Sequence, residues 1–306
     1  MKLFTALAAL SCAAAIGAAG RGSAATTYDL EKMGGVAGDS SVATASKNTA
    51  LLNSALSKLG SGDALVVSNK TFYVAGGIRA TELHGVTLQL EGTLKFLPGR
   101  KGWPTEDCSA GGNPLQPKKN GTCVQESIFI ANATDLTLTS SGTGTLYGSG
   151  ESWWGYIQCE LNRGRSRLVF STPNSHRPFL HLTGGSPLPT SPPRNLATSP
   201  HHPDLIHGED RPRLFSLVNA TNVKVENWHF LQSPYWTFTA FDVAGLEISH
   251  CAIDNRITKD DSHGIWNLDA FNTDGFDVAG RDIHIHDCTV WNQDDCFTIQ
   301  PLDSTA

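Results

Sequence analysis

The sequence predicts an all-β protein, a right-handed parallel β-helix (a solenoid) preceded by a short N-terminal helix. Three observations lead there. Five runs with apolar residues at alternate positions recur: Gly85 to Phe96, Asp135 to Gly148, Asn222 to Phe230, Gly245 to Ile253 and Asp282 to Val290. The last three align without gaps at spacings of 23 and 37 residues. No helical pattern lies between them. A strand–turn unit of that period, with strands of three to five residues, cannot bury its apolar face alone and must stack on copies of itself. Strands without intervening helices argue for a β-helix over a βαβ sheet. A β-sandwich is the competing all-β reading, but Asn-Gly hairpin signals are nearly absent between the runs.

The chain has 306 residues, with 29 acidic and 23 basic side chains and a formal charge of -6. Mild acidity argues against a nucleic-acid partner. Residues 1–25 read as a secretory signal: Lys2 starts it, an alanine-rich apolar run follows from Leu3 to Ala19, and small residues offer cleavage sites. That run is short for a membrane span, and none is expected later. Secretion into an extracellular, cell-wall setting follows. The triplets at Asn69, Asn120, Asn132 and Asn219 would suit glycosylation on that route.

Residues 26–306 form the expected solenoid domain. Thr49 to Leu59 has helical periodicity and stops at Gly60. The β runs begin after it. Residues 159–204 break the pattern, with eight of the chain's 15 prolines and no β periodicity. They are expected to be an atypical insertion, a disordered loop or non-native coding sequence. Beyond it, Val223, Leu246 and Ile283 share one position of the repeat, and Val225, Ile248 and Ile285 share the next inward one. Trp228, Cys251 and Cys288 share a third, and Phe230, Ile253 and Val290 a fourth. The 37-residue step would be one coil with an extra loop.

Loss of the signal removes Cys12 and leaves six cysteines. Cys108 and Cys123 flank a polar loop, where a local disulfide is expected in an oxidising compartment. Cys251 and Cys288 sit at equivalent places on adjacent coils, as buried thiols or as a bridge. No CxxC or spaced His pair accompanies the cysteines, so no zinc site is expected there. Lys259 to His263, "KDDSH", reads as a solvated loop. No cofactor and no metal are expected.

The chemistry concentrates near the end, in "NTDGFD" (Asn272 to Asp277) and "NQDDC" (Asn292 to Cys296). Asp274 precedes Asp294 by twenty residues, about one coil, so stacking would bring Asp274, Asp294 and Asp295 together. Asp294 and Asp295 are consecutive and reach one cleft only at a bend. Two carboxylates about 5 Å apart, at an effective dielectric near 20, repel by roughly 3 kcal/mol, more than two pKa units. One should keep its proton while its neighbours ionise, which is the division of labour that glycoside hydrolysis needs.

These two segments resemble the signature segments of polygalacturonases, glycoside hydrolase family 28. Gly142 to Gly155, "RPRLFSLVNATNVKV" and Ser233 to Phe238 resemble other stretches of that family. The resemblance implies a right-handed parallel β-helix and hydrolysis of α-1,4-linked galacturonan in pectin, with inversion at the anomeric carbon. It assigns Asp294 as general acid, Asp274 and Asp295 to activation of water, and Asn272 and Gln293 to positioning. A Gly-His-Gly and an Arg-x-Lys that the family carries downstream do not occur here, so an incomplete form of a monomeric enzyme is expected. The alternatives are a β-helix pectate lyase, which would need an Arg or Lys base, and a non-catalytic carbohydrate-binding wall protein.

Overall fold

The computed structural model describes residues 24–110, 115, 121–142, 144–154, 211–256 and 270–300. The expected secretory signal up to residue 23, the Pro-rich 159–204, Asn120, "KDDSH" and most of the loop expected inside the 37-residue step lie outside the described residues.

The chain folds as the expected solenoid. Its strands are β1 (Thr27–Asp29), β2 (Ala64–Val67), β3 (Thr71–Val74), β4 (Ile78–Thr81), β5 (Thr87–Leu90) and β6 (Thr93–Phe96). There follow β7 (Thr105–Asp107), β8 (Thr122–Val124), β9 (Ile128–Thr139), β10 (Thr145–Tyr147), β11 (Phe215–Glu226) and β12 (His229–Leu231). The last are β13 (Phe238–Ser249), β14 (Ala252–Asp254), β15 (Phe276–His286), β16 (Thr289–Trp291) and β17 (Phe297–Gln300). A nine-stranded sheet runs β1-β2-β5-β9-β11-β13-β15-β17, with β4 also on β9; a six-stranded sheet runs β16-β14-β12-β10-β6-β3. Every pairing in both is parallel. Among the described residues, only β7 and β8 pair antiparallel, and the expected Cys108–Cys123 disulfide closes that hairpin.

The four aligned positions are true neighbours. Val223, Leu246 and Ile283 pair in register, as do Val225, Ile248 and Ile285. Phe230, Ile253 and Val290 pair across the second sheet, and Cys251 precedes β14 as Cys288 precedes β16. Both cysteines are free thiols. One expectation, strands of three to five residues throughout, needs correction. Each run contributes two strands, in different sheets, because the alternation continues inward around a corner. The corners fall at Asn227, His250 and Asp287, all with positive φ. The strands of the larger sheet also reach 12 residues, since pairing continues through bends at left-handed residues such as Asn219 and Asn222.

Stacked apolar ladders fill the interior. Phe215 and Phe238 stack at 5.1 Å, and Phe238 meets Phe276 at 5.9 Å. The helix α1 spans Val42–Leu56, earlier than the expected Thr49 to Leu59. Its start is set by Ser41, whose hydroxyl accepts from the Thr44 amide at 3.3 Å, rather than by apolar periodicity. Its buried Asn48 and Thr49 and half-buried Asn53 bond to backbone at Tyr73, Ala75, Gly77 and Arg79. These side chains satisfy peptide groups that a sheet edge would otherwise leave bare.

Candidate active site

The in-register phenylalanines position the site. Phe215, Phe238, Phe276 and Phe297 are successive partners in the larger sheet. Just before them the chain still runs in ladder fashion: Leu214 N–H donates to Trp236 O, Thr237 to Asp274 O, and Gly275 to Asp295 O. Two residues ahead of each phenylalanine therefore stand Arg213, Trp236, Asp274 and Asp295, one above another. Asp294 precedes Asp295 on the last of these coils. Stacking does bring the three expected aspartates together: one oxygen of each lies within 4.8 Å of the others. Asp274 is 7 % exposed, Asp294 half-buried and Asp295 exposed.

The chain bends at Asp294, so the consecutive Asp294 and Asp295 both bring an oxygen to the group. Phe271 and Gln293 form an isolated bridge, and Gln293 Oε1 accepts from the Ala270 amide at 2.9 Å. Thr273 Oγ1 donates to Ala270 O at 2.8 Å and accepts from Gln293 N at 3.2 Å. Asn272 has φ of 57° and bonds Asp294 through its backbone and its side chain. The hydrogen bonds of Asn272 and Gln293 thus run to Asp294 and the loop backbone, so what they position is the carboxylate itself. Behind them, Asn255 Nδ2 donates to Thr237 Oγ1 and Thr273 O. Gly275 is forced by close approach: a Cβ there would sit 2.3 Å from Cys296 O.

Burial and mutual repulsion raise the pKa values of this cluster. Burial pushes Asp274 up to about 8, with Asp277 and Asp294 adding to it. Burial also drives Asp277 to about 7, opposed by Thr298 and Arg213. Asp294 rises as well through burial, held back by the amides of Asp295 and Asn272. The upward shift is strongest at Asp274, and its leading cause is burial, with repulsion from Asp277 and Asp294 adding to it. Asp274 Oδ1 and Asp277 Oδ2 are buried without a hydrogen-bond partner. The three oxygens are also close enough together to hold a cation.

Sequence reasoning gave no role to Asp277, Arg211, Tyr235 or Trp236. Arg211 is buried, stacks 4.9 Å from the Tyr235 ring, and donates to Phe271 O at 2.8 Å and Pro234 O at 3.1 Å. Burial lowers its pKa to about 10, against the pull of Tyr235, Asp274 and Asp294, so it remains a cation beside the cluster. Arg213 lies 4.6 Å over Trp236 and pairs with the buried Glu126 at 2.8 Å. Ser216, Thr239, Asp277 and Thr298 form one in-register polar line, each with a buried oxygen lacking a partner. Two-residue offsets from the phenylalanine ladder were the signal that could have marked Arg213 and Trp236.

Comparison with known proteins agrees with the resemblance. Residues 201–305 match the family described as glycosyl hydrolases family 28. A polygalacturonase of Saccharomyces cerevisiae is 34% identical over 93 residues, 30% of this chain and 24% of that protein. An alpha-L-rhamnosidase of Aspergillus niger is 22% identical over 244 residues, 80% of this chain and 43% of that protein. The chain thus spans less than half the length of these relatives. Among solved structures, an exopolygalacturonase from Thermotoga maritima superposes with a TM-score of 0.54 at 19% identity, over 90% of this chain and 54% of that one. A polygalacturonase from Erwinia carotovora gives 0.51 at 17%, over 92% and 58%. These likenesses support the β-helix fold.

Proposed function

We propose that the stretch matching glycosyl hydrolases family 28 works as a polygalacturonase, a secreted, monomeric glycoside hydrolase acting on α-1,4-galacturonosyl linkages of pectin. The observation that carries this reading is the gathering of Asp274, Asp294 and Asp295 from two coils within 4.8 Å, with burial pushing Asp274 up to about 8. Asp294, half-buried at the bend and tied to Asn272, is the general acid that protonates the leaving glycosidic oxygen. Exposed Asp295 is the group best placed to take a proton from the attacking water. Asp274, buried behind both, shares a proton with the cluster, so that one carboxyl is always ready to donate while another accepts.

The resemblance implies inversion. Inverting sites commonly hold their carboxyl groups roughly 6.5–9.5 Å apart to leave room for water between them. Here one oxygen of each carboxylate lies within 4.8 Å of the others, nearer the roughly 5–5.5 Å usual for retaining sites, so the anomeric form of the product tests the inversion that the resemblance implies. Arg211 and the stacked Arg213–Trp236 pair supply local positive charge and an aromatic face to an otherwise acidic chain. No helix of the described residues is long and apolar enough to cross a membrane.

Incubation with polygalacturonate tests the reading. Hydrolysis predicts new reducing ends without ultraviolet-absorbing unsaturated ends. Unsaturated products would replace it with the lyase chemistry, and binding without cleavage would replace it with a carbohydrate-binding role.

A further inference from the structure

Cys251 and Cys288 stand immediately before β14 and β16. Those strands pair in register from Ala252 and Thr289 onward, and Thr289 N–H donates to Cys251 O at 3.0 Å. The two cysteines are therefore neighbours on adjacent coils, whose backbones run roughly 4.8 Å apart. That spacing lies within the roughly 4.4–6.8 Å between Cα atoms that a disulfide spans. Their thiols are hydrogen-bonded to each other. Cys251 is buried in the apolar interior, and half-buried Cys288 packs against it. Cys288 Sγ also reaches back to the Cys251 coil, 3.9 Å from Ile248 O. The 37 positions between the pair include the whole segment Asn272 to Asp277.

We propose that Cys251 and Cys288 are a disulfide-forming pair, which an oxidising compartment joins into a cross-link between the coils of β14 and β16. The two thiols are the reduced state of that link. Exposure sets the order of events. The hydrogen bond from Cys251 lowers the pKa of the Cys288 thiol, with help from His286 and against burial and Asp287. The same bond, together with burial, raises that of Cys251. Cys288 is thus both the better thiolate and the sulfur that an oxidant reaches first. It attacks a small disulfide such as glutathione disulfide, expelling one thiolate and leaving a mixed disulfide. Cys251 gives its proton to solvent, attacks the Cys288 sulfur and expels the second thiolate. Two protein thiols are oxidised to one disulfide, and the reagent's disulfide is reduced to two thiols. The closed ring holds Asp274 between coils that are covalently tied, on the same stack that brings it to Asp294 and Asp295.

Incubation of the full chain with glutathione disulfide at about pH 8, where thiolates form, tests this. Remaining thiols are then alkylated, and peptides are mapped by mass spectrometry without reduction. The expected product is a Cys251–Cys288 linked peptide, lighter by two hydrogens than its separate parts. Oxidation should also raise Tm by about 5–10 °C. Cys288→Ser should show neither the link nor the gain in Tm on oxidation. Both cysteines still alkylated after prolonged oxidation would overturn the proposal. So would either of them linked instead to the exposed Cys296 or to Cys108 or Cys123. The mapping needs no turnover, so its outcome is separate from whether the cleft hydrolyses polygalacturonate.

Discussion

Asp294 Oδ2 accepts two hydrogen bonds from a single residue, Asn272: one from its backbone N–H at 3.1 Å and one from its side-chain amide at 3.2 Å. Both favour the ionised carboxylate and so oppose the upward push of burial. Asparagine also tolerates the left-handed backbone that this position requires. Asn272→Ala should lower turnover of polygalacturonate by about tenfold, as expected for roughly 1.4 kcal/mol of lost interaction. Its basic limb should move to higher pH, because Asp294 loses a donor. A pH profile with an unmoved basic limb would contradict the role given to this amide.

Stability should fall as pH rises. Asp274 at about 8 and Asp277 at about 7 lie far above the ordinary aspartate value of 3.8. The folded chain therefore binds protons that the unfolded chain releases between these limits. Each group's contribution is fully present below about pH 4 and is lost as pH climbs through 7 to 8, at up to about 1.4 kcal/mol per pH unit. Urea unfolding at pH 5 and pH 8 measures it, with the lower midpoint expected at pH 8. Asp274→Asn should flatten the difference.

Gly275→Ala should be disproportionately costly for a single methyl group. Its Cβ would meet Cys296 O at 2.3 Å and Val290 Cγ1 at 2.9 Å. Overpacking of this kind costs about 1–3 kcal/mol. The strain falls between Asp274 and Phe276, so hydrolysis should drop along with the urea midpoint.

Phe238→Ala removes the middle ring of the Phe215–Phe238–Phe276 stack. Phe238 is fully buried. The expected loss is about 3–5 kcal/mol, measured by denaturant unfolding. Because Thr237 and Phe238 donate to the carbonyls of Asp274 and Gly275, the cleft should loosen with the core.

The repeat was legible because inward positions carry only apolar residues: Val223, Leu246 and Ile283 announce their own register. The corners were not, since His250 and Asp287 adopt the left-handed conformation without a sequence marker such as Gly. The Cys108–Cys123 pair could be read from two cysteines flanking a polar loop. The start of α1 could not be read from periodicity, because its buried side chains include Asn48 and Thr49. In the cleft, the three aspartates were readable from a one-coil offset. Arg211 was not, because its hydrogen bond to Phe271 O spans 60 positions of chain. Asp277 stood in the quoted motif, but its burial beneath Asp294 and Asp295 appears only once the coils are assembled.

The most direct test of the cleft is Asp294→Asn, an isosteric change that keeps a partner for Asn272 and removes the acid. Reducing-end release from polygalacturonate should fall by about 10²–10⁴-fold, with the urea midpoint held near that of the parent chain. Undiminished release would show that the proton reaches the leaving oxygen from elsewhere, and the assembly of carboxylates from stacked coils would then not be the catalytic device.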